Sequence, residues 1–223
     1  MHSFKSYFNE GRQDPSIFHA VFMSGAPGSG KSHVAQLLAL PGQLGYKEIN
    51  SDIEFTRYMK EAQLDLVLNP DQQFQRDVTR AVAKRHTQAK KRHAELGRLG
   101  LVIDGTARNA SKIKKQKAEL EAKGYECAMV YVSTNLKSAI ESDHMRGATG
   151  GRSLGAKMIT SMHKDVEKNI KVYQRMFGRL LFEVDNSIWE KTPGQATKLF
   201  QTLSKWSKTM PKNKIAKQWM DNN

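Results

Sequence analysis

Apolar residues along this chain cluster into five short runs separated by longer stretches with helical spacing. His19–Ser24 (HAVFMS) is almost continuously apolar, as expected of a strand buried on both faces. It runs straight into a glycine-rich turn, and His33–Leu40 continues as a helix that Pro41-Gly42 should end. Tyr46–Asn50 reads as a second strand. Asp71–Leu96 has helical spacing, with Phe74, Val78, Ala81, Val82 and Ala89 as its apolar positions. Leu101–Asp104 (LVID) is a third strand. Ser111–Lys123 reads as a helix opened by a serine cap and closed by Gly124. Tyr125–Val132 is a fourth strand, Ala156–Phe177 a helix, Leu180–Val184 a fifth strand and Pro193–Lys208 a last helix.

Strands alternating with helices imply an α/β fold: a parallel five-stranded sheet with helices on both faces. Ligands of such sheets bind beyond the carboxyl ends of the strands. Around a domain at 19–210, the pattern sets an arm at 1–18, which Phe4, Tyr7 and Phe8 could dock, and a basic tail at 211–223.

Composition bounds the setting. The 223 residues suit one α/β domain with short appendages, and 39% apolar residues can build its core. No apolar run nears the roughly 18 residues that span a bilayer, and the polar N-terminus lacks a signal-peptide stretch. A single cysteine, Cys127, excludes an internal disulfide and fits a reducing compartment. These features predict a soluble, cytoplasmic protein with no membrane partner. Lys plus Arg is 36 against 22 Asp plus Glu, a net charge of +14. That balance favours a polyanionic partner, nucleic acid, over a basic enzyme whose charge only aids small anions.

The candidate chemistry begins at Gly25-Ala26-Pro27-Gly28-Ser29-Gly30-Lys31-Ser32, a full G-x-x-x-x-G-K-[ST] match between strand and helix. Its backbone N–H groups can converge on phosphates, and the following helix, with His33 in its first turn, adds its N-terminal dipole. Lys31 can reach the β- and γ-phosphates of a nucleoside triphosphate, and the Ser32 hydroxyl can bind Mg²⁺.

Two aspartates follow strands. Asp104 either holds the Mg²⁺ shell or caps the next turn. Asp52, in EINSD, either takes the proton of an acceptor hydroxyl or is one of three candidate caps (Asn50, Ser51, Asp52) for a helix over Ile53–Glu61. Arg146 and Arg152 flank RGATGGR, which is either a closing lid with phosphate-binding arginines or a solvated loop. Arg76, Arg80 and Lys84 recur every four residues on one helix face. With Arg85, Lys90, Lys91, Arg92 and the lysines at 112, 114, 115 and 117 they could track a nucleic-acid backbone. Trp206 fits core packing, whereas Trp219 fits either core or base stacking. His33, His86, His93, His144 and His163 have no metal-ligand spacing, and no nucleophile elbow is present.

The set GAPGSGKS, INSD, VIDGTARN and RGATGGRSLGAKMITSMHK resembles the kinase domain of phage polynucleotide kinase and the related zeta-toxin kinases, over about Val21 to Phe177. The resemblance implies a P-loop kinase core with a glycine/arginine lid. It implies that Lys31 and Ser32 bind ATP and Mg²⁺, that Asp52 is the base, that Asp104 is the acidic position after strand three, and that Arg146 and Arg152 are lid arginines. Polynucleotide kinases of this type surround the aspartate with arginines, whereas Ser51 and Phe55 stand here. Arg57 or the basic helix is the expected substitute. The GTARN segment leans toward the zeta-toxin side, whose acceptor is a sugar nucleotide. The implied activity is an ATP-dependent kinase acting on a nucleic-acid hydroxyl, most readily on DNA. That hydroxyl is either a polynucleotide 5′-end or the hydroxymethyl group of 5-hydroxymethyluracil in phage DNA. The alternatives are a small-molecule kinase and an NTP-dependent nucleic-acid-binding module. Motors usually carry a glutamate after the strand-three aspartate, and here Gly105 and Thr106 follow it.

Overall fold

The five apolar runs become the strands of one sheet in the computed structural model, which describes residues 13–66, 70–106 and 108–222. The strands are β1 (His19–Ser24), β2 (Lys47–Ile49), β3 (Leu101–Asp104), β4 (Glu126–Ser133) and β5 (Leu181–Asp185). Their order is β2-β3-β1-β4-β5, and every neighbouring pair is parallel. All six residues of β1 are buried because β3 and β4 flank it and helices cover both its faces.

The helices among the described residues are α1 (Lys31–Leu38), α2 (Leu40–Leu44), α3 (Ser51–Glu61), α4 (Gln73–Leu96), α5 (Ala110–Glu121), α6 (Leu136–Ala148), α7 (Ala156–Phe177), α8 (Thr192–Ser207) and α9 (Lys214–Asn222). Strand alternation divides them between two cores. Ala20 and Phe22 point to one, where Ala94 of α4, Ile113 and Leu120 of α5, Tyr173 and Phe177 of α7, and Met220 of α9 meet. Val21 and Met23 point to the other, filled by Val34 and Leu38 of α1, Leu40 and Leu44 of α2, and Leu199 and Leu203 of α8. A smaller cluster, Phe55, Met59 and Ala83, joins α3 to α4 beyond the carboxyl end of β2. No helix among the described residues is long and apolar enough to cross a membrane.

Several expectations are revised. Pro41-Gly42 does not close a helix. Ala39 adopts φ 43°, ending α1, and Pro41 opens α2, where its missing N–H costs nothing. The cap of α5 is Asn109, whose side chain accepts the Lys112 N–H at 2.9 Å, rather than Ser111. The helix α6 was not anticipated: its stripe is weak, with only Ala139 and Asp143 buried. On α4 the apolar positions Phe74 and Val78 are exposed, at 78% and 50%, as is Val82. The buried face is Arg76, Ala83, Thr87, Ala94 and Glu95, because a small residue at 83 lets α3 approach. The basic tail carries α9, whose Ala216 and Met220 are buried and whose Trp219 meets Phe18 edge-on, ring centroids 5.5 Å apart. The proposed arm falls mostly on residues 1–12, including Phe4, Tyr7 and Phe8, which lie outside the described residues.

Candidate active site

The phosphate loop leaves β1 at Ser24 and enters α1 at Lys31. Two glycines explain its path. Gly28 (φ +80°) lies so close to α6 that a β-carbon would stand 2.2 Å from the Ala139 carbonyl oxygen. Gly30 (φ +82°) would place one 2.1 Å from Nδ2 of Asn186. That amide donates to the Ser29 carbonyl at 3.0 Å and accepts the Thr192 hydroxyl at 2.7 Å, so the turn after β5 braces the loop. Ala26 is buried with Tyr131 and Val166, and Pro27 is half-buried beside it. The first turn of α1 has no side-chain cap, which leaves its N–H groups for an anion. Ser32 is exposed there, and the His33 ring stacks on Trp189 at 4.1 Å.

Asn50 organises the two aspartates. Its Nδ2 donates to Oδ2 of Asp104 at 2.8 Å, and its Oδ1 accepts the Asp52 N–H at 2.9 Å. The cap of α3 is therefore Asn50, and the Asp52 carboxylate is left to other partners. It accepts Nη1 of Arg152 at 3.1 Å, a hundred residues away. Burial works to raise the Asp52 pKa, but the Arg152 hydrogen bond and the charges of Arg152, Lys31 and Arg80 outweigh it, so the pKa lies below the ordinary carboxylate value. Among the described residues the Asp104 carboxylate accepts from the Asn50 amide and caps no turn. Lys31 Nζ stands 3.2 Å from its Oδ1, which is buried and receives no hydrogen bond.

The two arginines of the expected lid part company. Arg152 lies in the segment 149–155 between α6 and α7 and reaches back to Asp52. Arg146 ends α6 with an exposed side chain and no ion pair among the described residues. What fixes the segment is Asp143. Only 2% exposed, it accepts the Ser153 hydroxyl at 2.8 Å and the N–H groups of Leu154 at 3.0 Å and Gly155 at 2.9 Å. Burial would raise its pKa, but these hydrogen bonds, aided by the Arg146 charge, hold it below the usual carboxylate value.

Of the basic helix, Arg80 places its guanidinium 4.2 Å over the Phe55 ring, and Arg152 sits 5.7 Å from the same ring. Arg76 is buried and donates to the Asp65 carbonyl at 2.7 Å. Lys90 pairs with buried Glu54, Lys91 with Glu95 and Lys117 with Glu121. Lys84, Arg85, Arg92, Lys112, Lys114 and Lys115 are exposed and make no ion pair among the described residues. Sequence reasoning missed Asn50 as the bridge, Asp143 and Asn186. The asparagine cap rule covered Asn50, but nothing local marked the other two, whose partners lie 10 or more and 157 residues away.

One crevice thus collects a phosphate cradle, a hydroxyl, two carboxylates and an arginine at the carboxyl ends of β1, β2 and β3. The residues suit Mg²⁺, which takes one or two oxygen ligands from protein and keeps several waters. Ser32 is exposed in the first turn of α1, and Asp104 Oδ1 is buried with no hydrogen bond among the described residues and Lys31 Nζ 3.2 Å away. No group of three or more His, Cys, Asp or Glu side chains among the described residues could cage a metal.

This fold and loop define the P-loop kinase class. Residues 7–201 match the profile of the Zeta toxin family, and the chain belongs to that family. Similar solved structures include a protein from Chloroflexus aurantiacus (TM-score 0.60, 14% identity, 87% of this chain and 99% of that chain). Another is a structure from the PezAT toxin–antitoxin system of Streptococcus pneumoniae (TM-score 0.55, 15% identity, 91% and 90%). A third is a chain of the Pnkp1/Rnl/Hen1 RNA repair complex (TM-score 0.54, 14% identity, 72% of this chain and 46% of that one). At these identities the likeness is one of fold. No curated protein matches the chain.

Proposed function

We propose that the protein is an ATP- and Mg²⁺-dependent kinase that phosphorylates a hydroxyl group on nucleic acid. One observation carries the reading: Asp52 faces Lys31 and Arg152 across the crevice, its capping duty relieved by Asn50. In this reading the loop N–H groups and Lys31 bind the triphosphate. Ser32 and Asp104 would hold Mg²⁺, which neutralises charge between the β- and γ-phosphates. Asp52 accepts the acceptor's hydroxyl proton as its oxygen attacks the γ-phosphorus. The bond to the β-phosphate oxygen breaks, and ADP leaves with those electrons. Arg152 must first release Asp52, and its guanidinium then serves the transferring group. Arg146 joins only if the lid moves.

The net charge of +14 and the exposed lysines and arginines of α4 and α5 that make no ion pair among the described residues, such as Lys84, Arg85, Lys112 and Lys114, support a polyanionic acceptor. The hydroxymethyl group of 5-hydroxymethyluracil in DNA and a polynucleotide 5′-hydroxyl both fit. A second reading, a small phosphorylated acceptor, is favoured by the internal pairing of Lys90, Lys91 and Lys117, which reduces the charge available to a polymer. The test offers labelled ATP with 5′-hydroxyl oligonucleotides, duplex DNA containing 5-hydroxymethyluracil, free nucleotides and sugar nucleotides. Transfer to either polymer is expected. Transfer only to the small acceptors would overturn the nucleic-acid reading.

A further inference from the structure

Helix α4 turns its large apolar side chains to water. At 3.6 residues per turn, Phe74, Val78, Val82 and Leu96 fall within about 80° of one another, opposite the buried Ala83, Thr87 and Ala94. They are exposed at 78%, 50%, 40% and 73%. A helix lying on a domain normally keeps its apolar stripe inward and polar residues outward. Here small residues hold the inward face, and the large ones stand outside. Spread along about 33 Å of helix at 1.5 Å per residue, the four make a patch rather than scattered single side chains. Arg80, which meets Phe55, projects from the other side of the helix.

Two arginines interrupt the stripe within the same arc. Arg85 and Arg92 are seven residues apart, about 10.5 Å along the helix, and both are exposed with no ion pair among the described residues. The helix carries two carboxylates, and neither falls within the stripe. Asp77 is engaged by the Gln73 amide at 3.0 Å, and Glu95 is buried between Lys91 and Lys123. Alanines at 81 and 89 flank Arg85, so another backbone can approach closely on either side of it.

We propose that this outward face of α4 docks an acidic amphipathic helix of a partner protein. The partner lays apolar residues along Phe74, Val78, Val82 and Leu96 and sets two carboxylates, one heptad apart, against Arg85 and Arg92. Charge complementarity selects this occupant. A second copy brings the same cations and a net charge of +14. Residues 1–12 of this chain offer one carboxylate, Glu10, against Lys5 and Arg12. A bilayer takes apolar residues with cations at the edge of the stripe, whereas Arg85 and Arg92 lie inside it and would be carried toward the acyl layer. A nucleic-acid backbone satisfies the arginines but leaves the four apolar side chains in water.

Fluorescence anisotropy with the full chain tests this. The probe is a labelled synthetic helix of about three heptads, with leucines along one stripe and two glutamates seven residues apart within it. Its control carries lysines at those two positions. The wild-type protein should bind the glutamate peptide about tenfold or more tightly than the lysine peptide. Val78→Asn with Val82→Asn should weaken the glutamate peptide about tenfold, with thermal melting near wild type because both side chains are exposed. Arg85→Glu with Arg92→Glu should reverse the preference toward the lysine peptide, a gain that a misfolded variant does not show. No binding of either peptide, equal affinity for both, an asparagine variant at wild-type affinity, or a reversal variant that still prefers glutamate overturns the proposal. Phosphatidylserine vesicles and a single-stranded oligonucleotide are the competing probes, and whatever binding they show should be unaffected by Val78→Asn with Val82→Asn. Binding of either that is lost in that variant would assign the stripe to a membrane or to nucleic acid and overturn the proposal.

Discussion

Replacing Asp143 by alanine should loosen the segment that delivers Arg152 while leaving the sheet intact. Asp143 accepts one hydroxyl and two backbone N–H groups from Ser153, Leu154 and Gly155. Hydrogen bonds to a charged group contribute about 1.5–3 kcal/mol each, which sets an upper bound of roughly 4.5–9 kcal/mol for three. The actual loss is smaller, because the two N–H groups at the start of α7 can be rehydrated once the segment opens. A lost cap plus one stranded hydroxyl gives about 2–4 kcal/mol. That difference raises the opening constant about 30- to 700-fold, and amide hydrogen exchange at 154 and 155 should speed up by that factor. The rate of phosphoryl transfer should fall about 100-fold, the penalty for misplacing a group near the reaction by about an ångström. Asp143→Asn, which keeps an oxygen for part of this set, should lose less on both measures. Unchanged protection with unchanged turnover would refute the reasoning. Equal loss of protection in β1 and β4 would show that Asp143 supports the domain as a whole rather than the segment.

Removing Arg152 should shift the acidic limb of kcat/KM. Because the folded Asp52 pKa is depressed, the base stays ionised to low pH, and activity is lost only as pH falls through that folded value. Arg152→Gln deletes the hydrogen bond and charge that lower it, leaves burial to raise it, and should move the limb to higher pH. A profile from about pH 4 to pH 8 reads this, and an unmoved limb would contradict the Arg152–Asp52 pairing. Trp219→Ala should cost about 1–3 kcal/mol through lost packing on Phe18, lowering Tm by several degrees. Its affinity for single-stranded oligonucleotides should hold; a large loss there would revive base stacking by Trp219.

The strands were legible because a two-sided parallel sheet needs continuous apolar runs, and five such runs stand between turn signals. The phosphate loop was legible for a related reason: its residue types are set by backbone geometry and phosphate chemistry within eight consecutive positions. Long-range pairing was not legible. Nothing in INSD indicates that Asn50 rather than Asp52 caps α3, because Asn50, Ser51 and Asp52 all allow it and only the contact with Asp104, 54 residues on, decides. The stripe Phe74, Val78 and Val82 misdirected the reading of α4, since helical spacing cannot tell an outward apolar face from an inward one. The helix α6 hid for the opposite reason, as its main buried anchor is an aspartate. Arg80 illustrates both sides. Its four-residue spacing from Arg76 and Lys84 placed it on one face, but its position over Phe55 depends on how α3 packs on α4.

The proposed mechanism turns on Asp52 as the base for phosphoryl transfer at this crevice. Single-turnover transfer by Asp52→Asn, with the acceptor that the wild-type enzyme phosphorylates, tests it most directly. A lost general base predicts a fall of about 10²–10⁴-fold in rate, with ATP affinity nearly unchanged because the loop and Lys31 remain. Wild-type turnover in that variant would contradict the account.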